Sequence, residues 1–378
     1  DILDSFQEAT VESGIPKIDD FNDGNNYGVS YFKVNQKSGF RWNTVKAFIK
    51  PIKNRKNLHI IKKCEVNNLI LENNKVIGVD VARNGQLEKI FVNKEVVLSA
   101  GSIGSPKILE LSGIGNNKVL SDLGIQTKIN SVNVGENLQD HLQLRVIYKL
   151  ENAVTLNQKA NSLWGKIGIG LEYVLNRTGP MSMAPSQLGV FAMSDESYET
   201  PNLQFHVQPL SLDKFGDPLH DFPGLTASVC NLNPQSRGSV HINSKDAKSP
   251  PDIDPRYLSE EKDRIVAAQS IRLARKIITQ PAMKKYNPKE HAPGIQFQSE
   301  EELKKVAGDI GTTIFHPVGT CAMGPSDSSV TDENLKVRGV EGLRIADASI
   351  MPSITSGNTN APTLMIAEKA SEMILNSN

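Results

Sequence analysis

Two side chains near the end of the chain have the chemistry to handle a hydroxyl group. His316 stands in the run FHPVGTCAMG, and Asn358 stands 42 positions later in SGNTNAPTL. An imidazole titrates close to neutral pH, so it can take a proton from oxygen under ordinary conditions. A carboxamide cannot take that proton, but it can orient and polarise the same hydroxyl through hydrogen bonds. Both residues sit among Gly, Thr and other small residues, which let backbone approach a bound molecule closely. Histidines that precede proline in turns also serve structural ends, and His316 precedes Pro317, so the residues alone leave both readings open.

The elements that must position these groups read as mixed α/β. From Asn57 the strings NLHIIKKCEV, NLILENN and KVIGVDVARNG read as strands, with turns at Asn73-Asn74 and Asn84-Gly85. VVLSA, ending at Ala100, is a short continuous apolar run expected to form a strand buried on both faces, and it passes through Gly101 into the helix-like SPKILELSG. Ligands of open α/β sheets bind at the carboxyl ends of such strands, so Ser99, Ala100, Gly101 and Ser102 are candidates to face one. A strand, turn and helix with no ligand fits the same string. Between His141 and Asp309, strand-like LQLRVIYKL, LQFHVQPL, LTASVCNL and GSVHIN alternate with helix-like SLWGKIGIGLEYVLN and EEKDRIVAAQSIRLARKII. That alternation predicts an antiparallel sheet backed by helices, with a loop-rich stretch where Pro and Gly are dense between Asn176 and Pro223. After Thr312, LRIAD reads as a strand and APTLMIAEKASEMI as a helix with a small-residue start.

With 378 residues the chain can bury a sizeable core, and its length suits about two domains. Lys plus Arg equals Asp plus Glu at 42 each, which gives no electrostatic case for nucleic acid and points to a small-molecule partner. The three cysteines, Cys64, Cys230 and Cys321, are far apart and odd in number, which suits a reducing compartment such as the cytoplasm. Cys321 reads as a small buried hydrophobe rather than a reactive thiol. No run of about 18 apolar residues occurs to span a bilayer. Of the seven histidines, His59, His206, His220, His241 and His291 show no metal-like spacing, so metal chemistry is not expected. His141 follows an aspartate in QDH and reads as a hydrogen-bonded structural histidine.

Three blocks, in order, carry a family resemblance: VVLSAGSIGSPKILELSGIG (Val96 to Gly115), NVGENLQDH (Asn133 to His141) and the stretch from Phe315 onward. Together they resemble the glucose-methanol-choline (GMC) family of flavin oxidoreductases. The resemblance implies a C-terminal part of the GMC-type FAD-binding fold plus an antiparallel-sheet substrate-binding domain. The family's strand, GxGxxG and helix unit has no counterpart string here. The nearest, GIGLEY at Gly168 to Tyr173, lacks the third glycine, and the chain opens at Asp1 in mid-pattern. The expectation is therefore a C-terminal portion lacking the N-terminal dinucleotide-binding motif. Expected domains are 1–140, part of the FAD-binding domain; 141–310, the substrate-binding domain; and 311–378, a return to the FAD-binding domain.

By resemblance His316 matches the family's base and Asn358 its second catalytic position, which is His or Asn in different members. Asp347 and Ala348 resemble a flavin-chain contact, and Val66 aligns with a backbone contact to the adenine. Thr359 and Asn360 open a helix whose N-terminus would stabilise negative charge on reduced FAD by ~0.3–2 kcal/mol; an ordinary Asn-capped helix fits that string equally. The implied activity is FAD-dependent oxidation of a primary alcohol, choline-like or other, with electrons passed to a quinone or similar acceptor. The alternatives are an O₂-using oxidase, a flavin-bearing lyase, or a non-catalytic fragment or binding module. Peripheral association with the inner membrane and the oligomeric state are left open.

Overall fold

The structure is a computed structural model and describes residues 1–184, 186–214 and 216–377. The chain forms two compact units and passes between them repeatedly. One comprises Asp1–His59, Leu142–Leu232 and Glu261–Thr312, and the other Ile60–His141, Asn233–Glu260 and the residues from Thr313 onward.

The first unit is organised by an antiparallel sheet running Gly28–Tyr31, Leu188–Ala192, Leu203–Gln208, Gly224–Asn231, Leu142–Lys149, Lys289–Ala292. Its central register pairs Gln143 with Cys230 through to Lys149 with Gly224. Leu188–Ala192 and Leu203–Gln208 are buried at every position, so both faces are covered and even Gln204 and His206 lie inside. The helix Glu261–Ile278 buries Val266, Ala267, Ile271, Ala274 and Ile278, the stripe that a period of 3.6 residues places on one side. Glu261 and Asp263 stand in its first turn and Arg275 and Lys276 in its last, each sign where the helix dipole favours it. Arg275 then grips Glu290 with two hydrogen bonds of 2.8 Å, tying this helix to the strand Lys289–Ala292. The following helix, Glu300–Ile310, opens on a capping box between Ser299 and Glu302.

The second unit contains the three-stranded meander Cys64–Glu72, Lys75–Arg83 and Gln86–Phe91. Both hairpins have two-residue loops, and Asn73, Asn74, Asn84 and Gly85 all have positive φ, the conformation that turns of this length demand. Next to it the strand Val96–Leu98 pairs in parallel with Leu343–Ile345. Here the expectation of a strand buried on both faces fails. Leu98 is buried, but Val97 is 38% exposed, and Ser99 and Ala100 are exposed. The strand has one partner among the described residues; it buries Leu98 in the apolar cluster formed with Leu109, Val318, Cys321, Ile345 and Ile350, and Val96 packs partly buried against the same cluster. Cys321 is wholly buried there, and burial pushes its thiol up, which keeps it protonated and inert.

Candidate active site

The backbone before the histidine is held in an unusual shape. Phe315 has φ +64°, in the left-handed region, and its N–H donates to Thr313 Oγ1 at 2.9 Å. Three residues after the histidine, Gly319 has φ +96°, and a Cβ there would stand 2.5 Å from the Asn137 carbonyl oxygen. Only glycine lets the FHPVGT turn close against the NVGENLQDH segment.

That segment supplies the fixture for the turn. The buried Asp140 accepts at Oδ1 from the backbone N–H groups of His141 and His316, both at 2.9 Å, and at Oδ2 from the Tyr257 and Thr313 hydroxyls. Burial, and then the Asp140 charge, push the Tyr257 phenol up, so it remains a donor. Gln139 exchanges backbone hydrogen bonds with Val318, and its side chain donates to the Pro352 carbonyl and accepts from the Ile354 N–H, each at 3.1 Å. One short segment therefore locates both the His316 turn and the loop that leads to Asn358.

The imidazole of His316 is nearly buried, and each ring nitrogen has a neighbour. Nδ1 lies 3.1 Å from Nδ1 of the wholly buried His141, and Nε2 lies 3.3 Å from Asn358 Nδ2. With the amide donating to Nε2, that nitrogen carries the lone pair, and the Nδ1–H donates to His141. Burial pushes the His316 imidazole below its ordinary value, and the Asp140 carboxylate opposes part of that push. The ring is thus a neutral base at neutral pH.

The expected cofactor contacts fall into a group and an outlier. Asp347 Oδ2 accepts from the Gly101 N–H at 2.9 Å and from the Ser105 hydroxyl at 2.6 Å, and Oδ1 accepts from the Ser349 N–H at 2.8 Å. Its carboxylate is spent on holding the start of the helix Gly101–Leu111, and the Asp347 and Ala348 carbonyls already accept from the N–H groups of Ile350, Gly319 and Met351. Ser102 Oγ donates to the Pro317 carbonyl, and Thr320 Oγ1 donates to the Ser102 carbonyl, both at 2.7 Å, so Ser99, Ala100 and Gly101 are tied to the His316 turn. The contact between His316 and Asn358 brings in Thr359 and Asn360. Val66 stands apart, on a strand whose Leu69 N–H donates to Ser112 at the opposite end of that helix.

The group leaves backbone accessible at two glycines. A Cβ built at Gly101 or Gly357 would meet nothing within 4 Å, so backbone is open to a ligand at both points. Thr359, the N-cap of the helix Asn360–Asn376, makes no side-chain cap, and the N–H groups of Asn360 and Ala361 precede the first intrahelical bond, from the Thr363 N–H to the Thr359 carbonyl. GIGLEY, by contrast, lies inside the helix Leu163–Asn176, where its N–H groups serve the helix.

Two family models, both described as GMC oxidoreductase, match residues 2–143 and 234–367. The chain belongs to the GMC oxidoreductase family. The match over residues 2–143 does not bear out the expectation of a C-terminal portion lacking the N-terminal dinucleotide-binding motif: the model of the family's N-terminal domain begins at residue 2. An alcohol dehydrogenase [acceptor] from Pseudomonas putida is 35% identical over 98% of this chain and 68% of its own length. An oxygen-dependent choline dehydrogenase from Photobacterium profundum is 35% identical over 99% of this chain and 66% of its own length. The chain thus spans about two thirds of these relatives. Among solved structures, pyridoxine 4-oxidase from Mesorbium loti superposes with a TM-score of 0.87 at 27% identity, covering 98% of this chain and 69% of that one. Formate oxidase from Aspergillus oryzae RIB40 superposes with a TM-score of 0.91 at 25% identity, covering 100% and 70%. FAD is the cofactor of this GMC family, and FAD-dependent alcohol oxidation is its chemistry. The fold class read from the sequence, mixed α/β with a GMC-type FAD-binding part and an antiparallel sheet backed by helices, holds.

Sequence reasoning missed Asp140, Tyr257 and Thr313. The one local signal is the Asp-His pair in QDH, whose aspartate carries the contacts.

Proposed function

We propose that this GMC protein dehydrogenates a primary alcohol, with His316 as the base and Asn358 as the group that fixes the hydroxyl. The observation that carries this reading is the neutral, desolvated His316 ring with Nε2 turned to the Asn358 amide. A hydroxyl placed between them would give its proton to Nε2 and accept a hydrogen bond from Asn358. Bound FAD would supply the hydride acceptor. Ser99, Ala100, Gly101, Thr359 and Asn360, with backbone of Asp347 and Ala348, would hold its ring, and Val66 its adenine. The uncapped start of the helix Asn360–Asn376 favours negative charge there by ~0.3–2 kcal/mol. On this reading residues 1–140 and 311–378 belong to the FAD-binding part and residues 141–310 to the substrate-binding part.

The substrate class follows the relatives' names, alcohol and choline, and a quinone or similar carrier is the proposed acceptor. Oxygen as acceptor is the second reading, favoured by the names of the oxidases with this fold. Anaerobic bleaching of flavin absorbance by a panel of alcohols tests the activity, and reoxidation by quinone, dye or O₂ ranks the acceptors. An absorbance unmoved by every alcohol would end the proposal.

Asn358→Ala should slow flavin reduction by only about 2- to 13-fold, the loss of one uncharged hydrogen bond worth roughly 0.5–1.5 kcal/mol. Stopped-flow reduction measures this directly, and a loss as large as that of His316→Ala would show that the two roles are not divided in this way.

Peripheral membrane attachment belongs to the same proposal. Among the described residues no helix is long and apolar enough to cross a bilayer. The helix Leu163–Asn176, however, buries none of its residues and exposes Leu163, Trp164, Leu171, Val174 and Leu175. A Trp-bearing apolar face of this kind enters the bilayer interface. Co-sedimentation with lipid vesicles should fall when Trp164 and Leu171 are replaced by Ser; wild-type protein that stays in the supernatant would refute the attachment.

A further inference from the structure

Far from His316 in sequence, three metal-capable side chains converge within the first unit. Asp213 and His220 lie between the strands Leu203–Gln208 and Gly224–Asn231, and His291 lies on Lys289–Ala292. One ligand atom from each falls within 4.8 Å of the others. His220 Nε2 and Asp213 Oδ1 are 3.2 Å apart, close to the ~3.3 Å donor spacing that tetrahedral coordination at 2.0–2.1 Å requires. An imidazole nitrogen and a carboxylate oxygen at that distance have either a hydrogen or a metal ion between them.

The histidine is also held as a ligand would be. Its Nδ1 lies 2.9 Å from Ser211 Oγ, and Asn157 Nδ2 donates to that same oxygen at 3.2 Å. Ser211 Oγ can accept from Nδ1–H in the tautomer that leaves the Nε2 lone pair turned toward Asp213, the form a metal ion would select. Asn157 and Ser211 are wholly buried, and Asn157 Oδ1 accepts from the Ser211 N–H at 2.9 Å. Gly224 makes room for this arrangement, since a Cβ there would stand 1.8 Å from Ser211 Oγ. Phe222 stacks on the His220 ring at 4.6 Å and touches the His291 ring at 5.0 Å, and the two imidazoles meet edge to face at 5.1 Å. Lys149 Nζ, 5.4 Å from the Phe222 ring, opposes a second cation and sets a limit on affinity. Asp213 and His291 are exposed, so an incoming ion can reach the cluster and water can complete its shell.

We propose that Asp213, His220 and His291 form a solvent-accessible binding site for a divalent transition-metal ion, with zinc as the best match to two imidazoles and one carboxylate. Sequence spacing hid it, because His291 is 71 positions beyond His220.

The test is titration of chelator-stripped protein with zinc chloride by calorimetry, alongside thermal unfolding. One zinc per chain and a rise in Tm are expected. His291→Gln and Asp213→Asn, both at exposed positions that spare the fold, should weaken binding about tenfold or more, and Ser211→Ala, which acts through His220, by ~10–100-fold. No heat and no Tm shift in the wild type would mean that the pair holds a proton only and would overturn the proposal. Stoichiometric zinc that survives in His220→Ala/His291→Gln would place the ion elsewhere and overturn it equally.

Discussion

His316→Ala, in the flavin-loaded protein, is expected to keep its flavin and to lose ~10²–10⁴-fold in the rate of flavin reduction by alcohol. At 1.36 kcal/mol per factor of ten, that is about 2.7–5.4 kcal/mol of barrier. The flavin should stay because the residues proposed to hold it have anchors besides the ring: the Ser102 and Thr320 bonds involve Pro317 and Thr320, Asp140 grips the His316 backbone N–H, and Gln139 holds the loop that leads to Asn358, Thr359 and Asn360. The pH profile should also move in a defined direction. Burial holds the His316 imidazole below its ordinary value, so the acidic limb of reduction lies below about 6.5. Asp140 opposes that shift, so Asp140→Asn should carry the limb lower still. Stopped-flow reduction across pH decides both points. Wild-type rates in His316→Ala, or a limb that rises in Asp140→Asn, would remove His316 from the role of base.

The second large effect is on stability. Glu110, in the last turn of the helix Gly101–Leu111, is wholly buried, and its Oε1 lies 2.7 Å from His241 Nδ1. Its Oε2 accepts from the Ile242 N–H at 2.8 Å, and Glu136 approaches His241 Nε2 at 3.1 Å. His241→Ala should cost ~3–5 kcal/mol, because the partner left behind is a buried carboxylate. Hydrogen bonding to Glu110 holds the His241 imidazole above its ordinary value, against the effect of burial. The unfolded imidazole titrates near 6.5, so the stabilisation is fully present below that pH and drains away as pH rises through the higher folded value. Urea unfolding at a series of pH values should show this fall in the wild type and not in His241→Ala. A mutant with the wild-type midpoint would show that the pair contributes nothing net.

Local chemistry was legible in the sequence where it decides conformation. Asn73-Asn74 and Asn84-Gly85 were readable as turns because few residues accept positive φ, and the helix Glu261–Ile278 because its apolar period has no other use. His316 and Asn358 were legible through the resemblance, which the residues alone did not force. Asp140 was not, since its partners Tyr257, Thr313 and His316 lie 117 to 176 positions away and nothing local marks them. The zinc proposal has the same cause: His220 and His291 meet through strand pairing, which spacing does not encode. Val97 shows the opposite limit, an apolar residue whose composition cannot tell what covers it.

The parallel pairing of Val96–Leu98 with Leu343–Ile345, locked by Asp347 on Gly101 across 246 positions, also fixes when the site can exist. On a ribosome moving at ~5–20 residues per second, the first strand waits roughly 12–50 s for its partner, with its edge open to other chains. His316 and Asn358 flank that partner strand in the chain and are made within about 30 residues of it, on the order of seconds at that rate. The site therefore cannot assemble, and the open strand edge stays exposed to mispairing, until the chain has been made through Asn358.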